Sequence, residues 1–273
     1  MNSYADLTML KSASYLNISV TTHDVYFRRL LEQASRMIDK YCDRYFYCYS
    51  GTKYYDGAII IYPKDDILSI TTLKTNEDGD ATFENTFTTS DYHLYPLNDL
   101  PKIRVEINPD GDYGSFASGI KKGVQIIGIF GYGDGWSATP YSNSGTTTNE
   151  ALDATETDVD VVSGLALAVG QTILIESEQM YISSISSNIL TVKRGINGTT
   201  ATTHDTLKII YIYEYPQPIV QACLIMVMRA WKRKDSAFQD VVSLPEYGQL
   251  GVYRGIDPDV AETIKQYRKT RYA

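Results

Sequence analysis

Glu176 and Glu178 come closest to an acid–base pair by type and spacing, because they lie two residues apart on a predicted strand. Two carboxylates on one strand face are more often solvated surface groups, and no nucleophile accompanies them. His23, His93 and His204 are scattered, without the paired spacing of a zinc site. We therefore assign no catalytic residue and no metal ligand, and we expect no cofactor.

Two acidic turns, at residues 76–80 and 108–112, imitate calcium-binding loops. Each alternates oxygen-bearing side chains, but its sixth position is Ala81 or Tyr113, where the sharp bend of a calcium loop requires Gly. Hairpin turns explain both segments. The glycine-rich stretch 131–135 lacks the helix and basic residue of a phosphate loop, so we interpret it as a tight turn.

Composition limits the classes of protein that this chain can be. It has 273 residues, of which 43% are hydrophobic, which excludes general disorder. Lys and Arg number 25 against 33 Asp and Glu, and a net charge of −8 excludes a general duplex-DNA clamp. The longest apolar run, 219–228, is too short for a membrane crossing. The first residues do not read as a secretion signal, and the three cysteines predict free thiols in a reducing compartment.

Two segments carry the helical period. Residues 23–46 place apolar side chains at steps of three and four, with Thr22 as the expected N-cap. Residues 219–234 are apolar nearly all round and follow two prolines, which predicts a buried helix. The expected fold is α+β, with a helical connector core made of this long N-terminal amphipathic helix and the buried C-terminal helix, a β-sheet or barrel region, and an inserted all-β domain.

The remaining patterns set the expected domain boundaries. Small polar residues at 139–150 predict a flexible connector, and 146–212 reads as a series of short strands typical of a small sandwich or barrel. We therefore expect a connector core from 1–145 and 213–235, with 146–212 inserted into it. Residues 236–273 are expected to form an extended C-terminal tail with a short basic helix.

Three stretches together resemble the head-tail connector, or adaptor, proteins of tailed bacteriophages. They are LLEQASRMIDKYCDRYF at 30–46, YYDG at 54–57 and DILSITTL at 66–73. The late apolar helix with its basic end, preceded by YPQPI at 215–219, is similar to the same family. The segment 169–204 is similar to small β modules embedded in phage virion proteins.

The resemblance implies a non-enzymatic virion protein of the phage neck, made in the host cytoplasm. It implies a ring, commonly of twelve copies, that docks under the portal, receives the next neck or tail protein, and lets DNA pass without sequence-specific binding or any membrane. An acidic channel wall would repel the phosphate backbone and let DNA slide. We assign subunit contacts to four residues of the first helix and its end, Arg28, Arg36, Asp39 and Arg44. We assign portal docking to residues of the second helix and the tail: Trp231, Arg233, Phe238, Tyr247, Tyr253, Arg254, Ile256, Tyr267, Arg268 and Arg271.

Three alternatives stay open. The terminal helix could fold back on its own domain instead of ordering on a partner. The protein could be a decorating or carbohydrate-binding virion protein, acting through Tyr181, Tyr211 and Tyr213 of the β insert. A cell-wall hydrolase is the third, although the sequence offers no catalytic constellation for it.

Overall fold

The computed structural model describes residues 2–234, 241–244, 248–251 and 256–269. The protein is mostly β and only 21% helical, so the predicted fold with a helical connector core is wrong. The two long helical segments give the strongest periodic signal in the sequence, but the apolar residues between them alternate with a period of two and pair into sheets. The helices are α1 (Leu7–Lys11), α2 (Asp24–Cys42), α3 (Gln217–Arg233) and α4 (Pro258–Lys265).

The described chain divides into two compact units. The first comprises 2–43, 141–196 and the described part of 200–269, and the second comprises 44–140 with 197–199. The segment 146–212, apart from 197–199, therefore belongs to the same unit as the four helices, whereas 44–140 forms a unit of its own.

Three of the helices of the first unit pack together. α2 begins after His23, which offers no side-chain cap, and ends at Asp43 in the left-handed conformation. Thr22 is thus not the N-cap that the sequence predicts. The apolar stripe of α2 is buried against α3, and α4 contacts both helices through its buried Val260 and Ile264. Burial of an apolar stripe supplies most of the stability of such a helix.

Six strands of the first unit form one antiparallel sheet in the order β8-β13-β10-β11-β12-β9. The two edge strands then meet through a Thr148–Val161 bridge and a hydrogen bond from Val162 N to Thr147 O of 3.0 Å. The sheet therefore closes into a barrel, which leaves no unpaired edge at this seam. The strands are β8 (Tyr141–Thr147), β9 (Asp158–Asp160), β10 (Thr172–Ile175), β11 (Glu178–Ser186), β12 (Ile189–Lys193) and β13 (Ile209–Tyr213), with a short 3-10 helix at Gly164–Ala166.

The predicted flexible connector at 139–150 is wrong, because most of it is strand β8. Its small polar residues hydrogen-bond within the barrel instead of facing only solvent. Ser144 Oγ donates to the carbonyl of Ile210 at 2.6 Å, and Ser142 donates to Glu214. Pairing with β13 thus determines the conformation of a segment whose residues are weak strand formers.

The second unit packs two antiparallel sheets around one apolar core. One has the order β1-β7-β3-β4 and the other β2-β6-β5. Gly128 lies at the centre of β7, where an added Cβ would come 2.2 Å from Ser69 O, so the close approach of β3 requires glycine. The strands are β1 (Tyr49–Tyr55), β2 (Ile60–Ile61), β3 (Ile67–Thr75), β4 (Asn85–Phe87), β5 (Tyr92–Tyr95), β6 (Arg104–Ile107) and β7 (Val124–Phe130).

Three further features concern the whole chain. β14 (Val241–Leu244) and β15 (Gly248–Gly251) pair as an antiparallel hairpin. Cys42, Cys48 and Cys223 are buried and carry thiols rather than a disulfide, as the sequence predicts. Within the described residues, none of the helices has the length and apolar character needed to cross a bilayer.

Candidate functional site

Four charged residues and His204 meet at one side of the barrel in what we call the barrel ionic cluster. Glu176 lies in the turn between β10 and β11, and Glu178 is the first residue of β11. Arg194 directly follows β12, and Lys208 directly precedes β13. His204 lies in the loop between them and pairs with Leu152 through the backbone. The barrel topology therefore brings together residues that are up to 32 positions apart in sequence.

Glu178 is the centre of the barrel ionic cluster. Arg194 binds it in a bidentate way, with Nε to Oε1 and Nη2 to Oε2 both at 2.7 Å. The backbone N–H groups of Gly195 and Thr202 donate to it at 3.0 and 3.1 Å. His204 Nε2 lies 2.9 Å from Glu178 Oε2. Four N–H donors and a ring nitrogen of His204 thus surround one fully buried carboxylate.

His204 links the buried carboxylate to an outer one. Its Nδ1 lies 2.7 Å from Oε2 of Glu176, whose other oxygen binds Lys208 Nζ at 2.7 Å. Both ring nitrogens therefore face carboxylate oxygens, and each can serve its carboxylate as a donor when the ring is protonated. The side chain of Glu176 is 44% exposed, whereas that of His204 is buried, so solvent reaches the outer carboxylate only.

The pKa values of both glutamates follow from these contacts. Burial opposes ionisation of Glu178, yet hydrogen bonds from Arg194 and His204 and from two backbone N–H groups hold its pKa below the ordinary value. Hydrogen bonds from Lys208 and then His204 lower the pKa of Glu176. The hydrogen bond between Glu176 and Lys208 also raises the pKa of Lys208. Both carboxylates are therefore anionic at neutral pH.

The barrel ionic cluster holds loops together. Arg194 also donates to three backbone carbonyls, those of Asp153, Glu156 and Thr202, at 2.9, 2.9 and 2.6 Å. A general acid or base needs an open position at which a substrate can meet its proton. Glu178 has no such position, because protein donors occupy its oxygens. The two carboxylates that the sequence suggests as a pair thus lie on either side of His204: Glu178 is buried and acts as a structural acceptor, and Glu176 is exposed.

Sequence spacing does not indicate that Arg194, His204 and Lys208 belong to one cluster with the two glutamates. Arg194 and His204 stood within the segment similar to virion β modules, but nothing related them to Glu178. The available signal is compositional, because 146–212 holds only three basic residues, Lys193, Arg194 and Lys208. Two of these three bind the two glutamates.

The residues assigned to subunit contacts make contacts within the chain itself. Arg28 donates to Ser183 O at 2.6 Å, and Arg44 lies 3.5 Å from Asp66 and over the Tyr132 ring. Their role in subunit contacts remains a prediction.

Asp39 is assigned to subunit contacts together with Arg36. It lies in a buried polar cluster. Arg36 pairs with it at 2.9 Å, and the Tyr4 hydroxyl donates to it. Burial raises the pKa of Asp39 to about 6, against the lowering effects of Arg36 and Tyr4. These contacts tie the N-terminal segment to α2.

The described residues of the predicted docking set lie on or near α3 and α4. The Trp231 ring packs against Phe27 and His23 of the same unit, with centroid distances of 4.7 and 4.9 Å. Arg233, Ile256 and Tyr267 are half-buried, and Arg268 is exposed. The other docking residues, Phe238, Tyr247, Tyr253, Arg254 and Arg271, lie outside the described residues.

The terminal helix α4 folds back on its own unit, which is the arrangement that sequence analysis kept as an alternative. Arg229 binds Asp257 at 2.7 Å and Asp259 at 2.8 Å. At the far end of the helix, Lys269 N donates to Cys42 O at 2.8 Å. The short helix expected within 236–273 is α4, and these contacts anchor it to α2 and α3.

The two acidic turns behave as turns. Asn76 accepts from Gly79 N at 2.7 Å and Asp80 accepts from Thr82 N at 2.7 Å, as in side-chain-capped turns. Carboxylate oxygens of Asp78, Asp80 and Glu84 lie within 4.8 Å of one another, all exposed. Exposed acidic groups in a turn carry no metal assignment on their own.

The aromatic residues considered for glycan binding do not form an exposed platform. Tyr181 and Tyr213 are buried, and Tyr181 shares a hydrogen bond with Ser3. Only Tyr211 is partly exposed. Stacking on a sugar ring needs an open aromatic face, so this geometry does not favour the carbohydrate-binding alternative.

Comparison with known proteins does not assign the chain to a family. No protein-family model matches it, and no curated protein matches it either.

Proposed function

We propose that this protein is a structural component of a tailed-phage neck that joins the capsid portal to the tail as a closed ring of identical copies. The observation that carries the proposal is a group of exposed apolar side chains at one end of the barrel. We call it the barrel-end patch, and it consists of Val162, Leu165, Ile189, Leu207 and Ile209.

The strand register makes the barrel-end patch continuous. Ile209 pairs with Thr147 of β8, and Val162 N donates to the same Thr147 on its other side. Val161 and Ile210 are buried, so their neighbours Val162 and Ile209 point outward by strand alternation. Ile189 pairs with Asp160, two residues before Val162, and therefore lies on the diagonal of the same outer face.

Leu165 and Leu207 complete this surface. The N–H of Gly164, directly before Leu165, donates to Asn188 Oδ1, next to Ile189. Leu207 N donates to Thr148 O, next to the Thr147 position. Leu165 is 99% exposed and Leu207 is 68% exposed. An apolar group of this extent on a water-soluble surface marks a protein contact site.

A contact site of this kind suits the proposed ring. In a ring, each copy presents one surface to the neighbour on one side and a different surface to the neighbour on the other. The sequence resemblance of residues 30–46, 54–57 and 66–73 to phage connectors supports this class of assembly over other homo-oligomers. The structural character of the barrel ionic cluster is compatible with a chain that works through contacts.

The experiment compares the wild type with a Leu165→Asp, Leu207→Asp double variant by size-exclusion chromatography with light scattering. Both side chains already face solvent, so we expect the barrel to fold normally in the variant. We expect the wild type to form a uniform multi-subunit species, and the two buried charges to weaken the subunit contact about 100-fold.

Leu97→Asp is the matched control, because Leu97 is 61% exposed in the second unit and lies outside both the barrel-end patch and α2. This variant should keep the wild-type mass. A double variant that assembles as well as the wild type would show that the barrel-end patch is not a subunit contact.

A further inference from the structure

The N-terminal segment and the start of α3 border a cavity of about 240 Å³ in the first unit. We call it the N-terminal cavity. Residues of the N-terminal segment, the 170–172 turn and the end of β13 line it. Its volume exceeds that of several water molecules, so it is large enough for a small organic group.

The N-terminal cavity is negatively charged. Asp6 and Glu214 line it, and the residues that line it include no Lys, Arg or His. Asp6 is only 5% exposed and accepts hydrogen bonds from Met9 N at 2.8 Å and Gln171 Nε2 at 3.2 Å. The backbone N–H of Thr8 also acts on this carboxylate, and all three donors are neutral, so burial outweighs them and raises the pKa of Asp6. A carboxylate has room for a further donor.

The N-terminal cavity is also rich in aromatic rings. Tyr4, Tyr213 and Tyr215 line it, and the ring of Tyr215 lies 4.8 Å from that of Tyr4 and 4.7 Å from that of Tyr213. The electron-rich faces of aromatic rings attract cations. Met9 and Val220 add apolar surface suited to an alkyl chain.

We propose that the N-terminal cavity binds a primary alkylammonium group. The carboxylate of Asp6 would accept hydrogen bonds from the ammonium head, and the tyrosine rings and apolar side chains would pack against the alkyl chain. Two sources carry this chemistry: a free aliphatic amine, and a lysine side chain of a protein partner. The site is distinct from the barrel-end patch, so it extends the proposed function without depending on it.

The test is an NMR titration of the full chain at pH 7.5 with three probes. They are n-butylammonium chloride for a free amine, Nα-acetyl-lysine methylamide for a lysine side chain, and 1-butanol as the neutral analogue. At least one cationic probe should bind tenfold more tightly than 1-butanol, because a hydrogen bond to a charged group contributes on that scale. The tighter of the two cationic probes identifies the source.

Asp6→Asn removes the charge and keeps the N-cap of α1, because asparagine caps helices as well as aspartate. It should weaken the cationic probe at least tenfold, whereas Glu150→Gln, an exposed charge outside the cavity, should change binding less than twofold. The proposal is overturned if 1-butanol binds the wild type as tightly as the cationic probes do, or if neither cationic probe binds. It is also overturned if Asp6→Asn and Glu150→Gln weaken binding equally. The 1-butanol comparison needs no variant, so it stands even if Asp6→Asn folds poorly.

Discussion

Replacing Glu178 with glutamine should destabilise the barrel by about 3–5 kcal/mol, because the change leaves Arg194 buried without its anionic partner. The amide has the same size but only one acceptor oxygen. Its NH₂ group would face donors now bound to Glu178, which include Arg194 Nη2 and the N–H of Thr202. Urea unfolding combined with hydrogen exchange of peptides from 172–213 measures the loss, and locates it in the barrel.

Glu176→Gln is the matched control, since it changes the same chemistry on the exposed side of His204. Exposed ion pairs contribute little, so this variant should lose less than about 1 kcal/mol. Equal losses in the two variants would contradict the assignment of Glu178 as the central acceptor of the barrel ionic cluster.

The same contacts predict an acid dependence of stability. Both glutamates have lowered pKa values in the folded state, so their contribution is complete above the unfolded value of about 4.3 and is lost as pH falls through the folded values. Glu178→Gln removes part of this dependence. Its stability should therefore fall less steeply below pH 4.5 than that of the wild type.

Phe27→Ala should lower the free energy of unfolding of the first unit by about 3–5 kcal/mol, the usual cost of removing a fully buried phenylalanine. The ring packs against Trp231, so the variant removes a contact between α2 and α3. Trp136, the other tryptophan, is 90% exposed, so tryptophan fluorescence measured in a Trp136→Phe background reports this contact. The emission of Trp231 should shift toward that of a solvent-exposed indole, or the urea midpoint for unfolding of the variant should fall.

Val25→Ala serves as the comparison, because Val25 is exposed on the same helix two positions away. Exposed substitutions of this kind usually change stability by less than about 0.5 kcal/mol. A Phe27→Ala variant as stable as Val25→Ala would contradict the burial of the α2 stripe against α3.

The regular elements were predictable wherever one local period dominates. The spacing of Phe27, Leu30, Leu31 and Ile38 determines the face of α2, and residues along β7 are alternately buried and half-buried. The fold class was not predictable in the same way. Two conspicuous helices suggested a helical core, but most of the regular elements are strands, whose pairing is non-local.

Strand β8 shows why some elements cannot be predicted from the sequence alone. Residues 141–147 have the composition of a loop, and they become β8 because β13 pairs with them across more than 60 positions. Their hydroxyl groups find partners only in the folded sheet, as with Ser144 and Ile210 O. The local strand propensity of these residues does not reflect a pairing partner so far away in the sequence, so it could not predict β8.

The candidate site was partly visible for the same reason. Glu176 and Glu178 drew attention because they are close in sequence. Their partners Arg194 and His204 come from other connections of the barrel, and only the folded chain brings them within 3 Å. Sequence spacing thus identified the acceptors, and burial identified their role.

Negative-stain electron microscopy of the purified protein, alone and mixed with portal rings, tests the proposed assembly most directly. The account predicts closed rings of this protein, stacked coaxially under the portal with a central channel, with the rings lost or weakened in the Leu165→Asp, Leu207→Asp variant. A wild-type protein that stays monomeric and unattached at micromolar concentrations in the presence of the portal would contradict it.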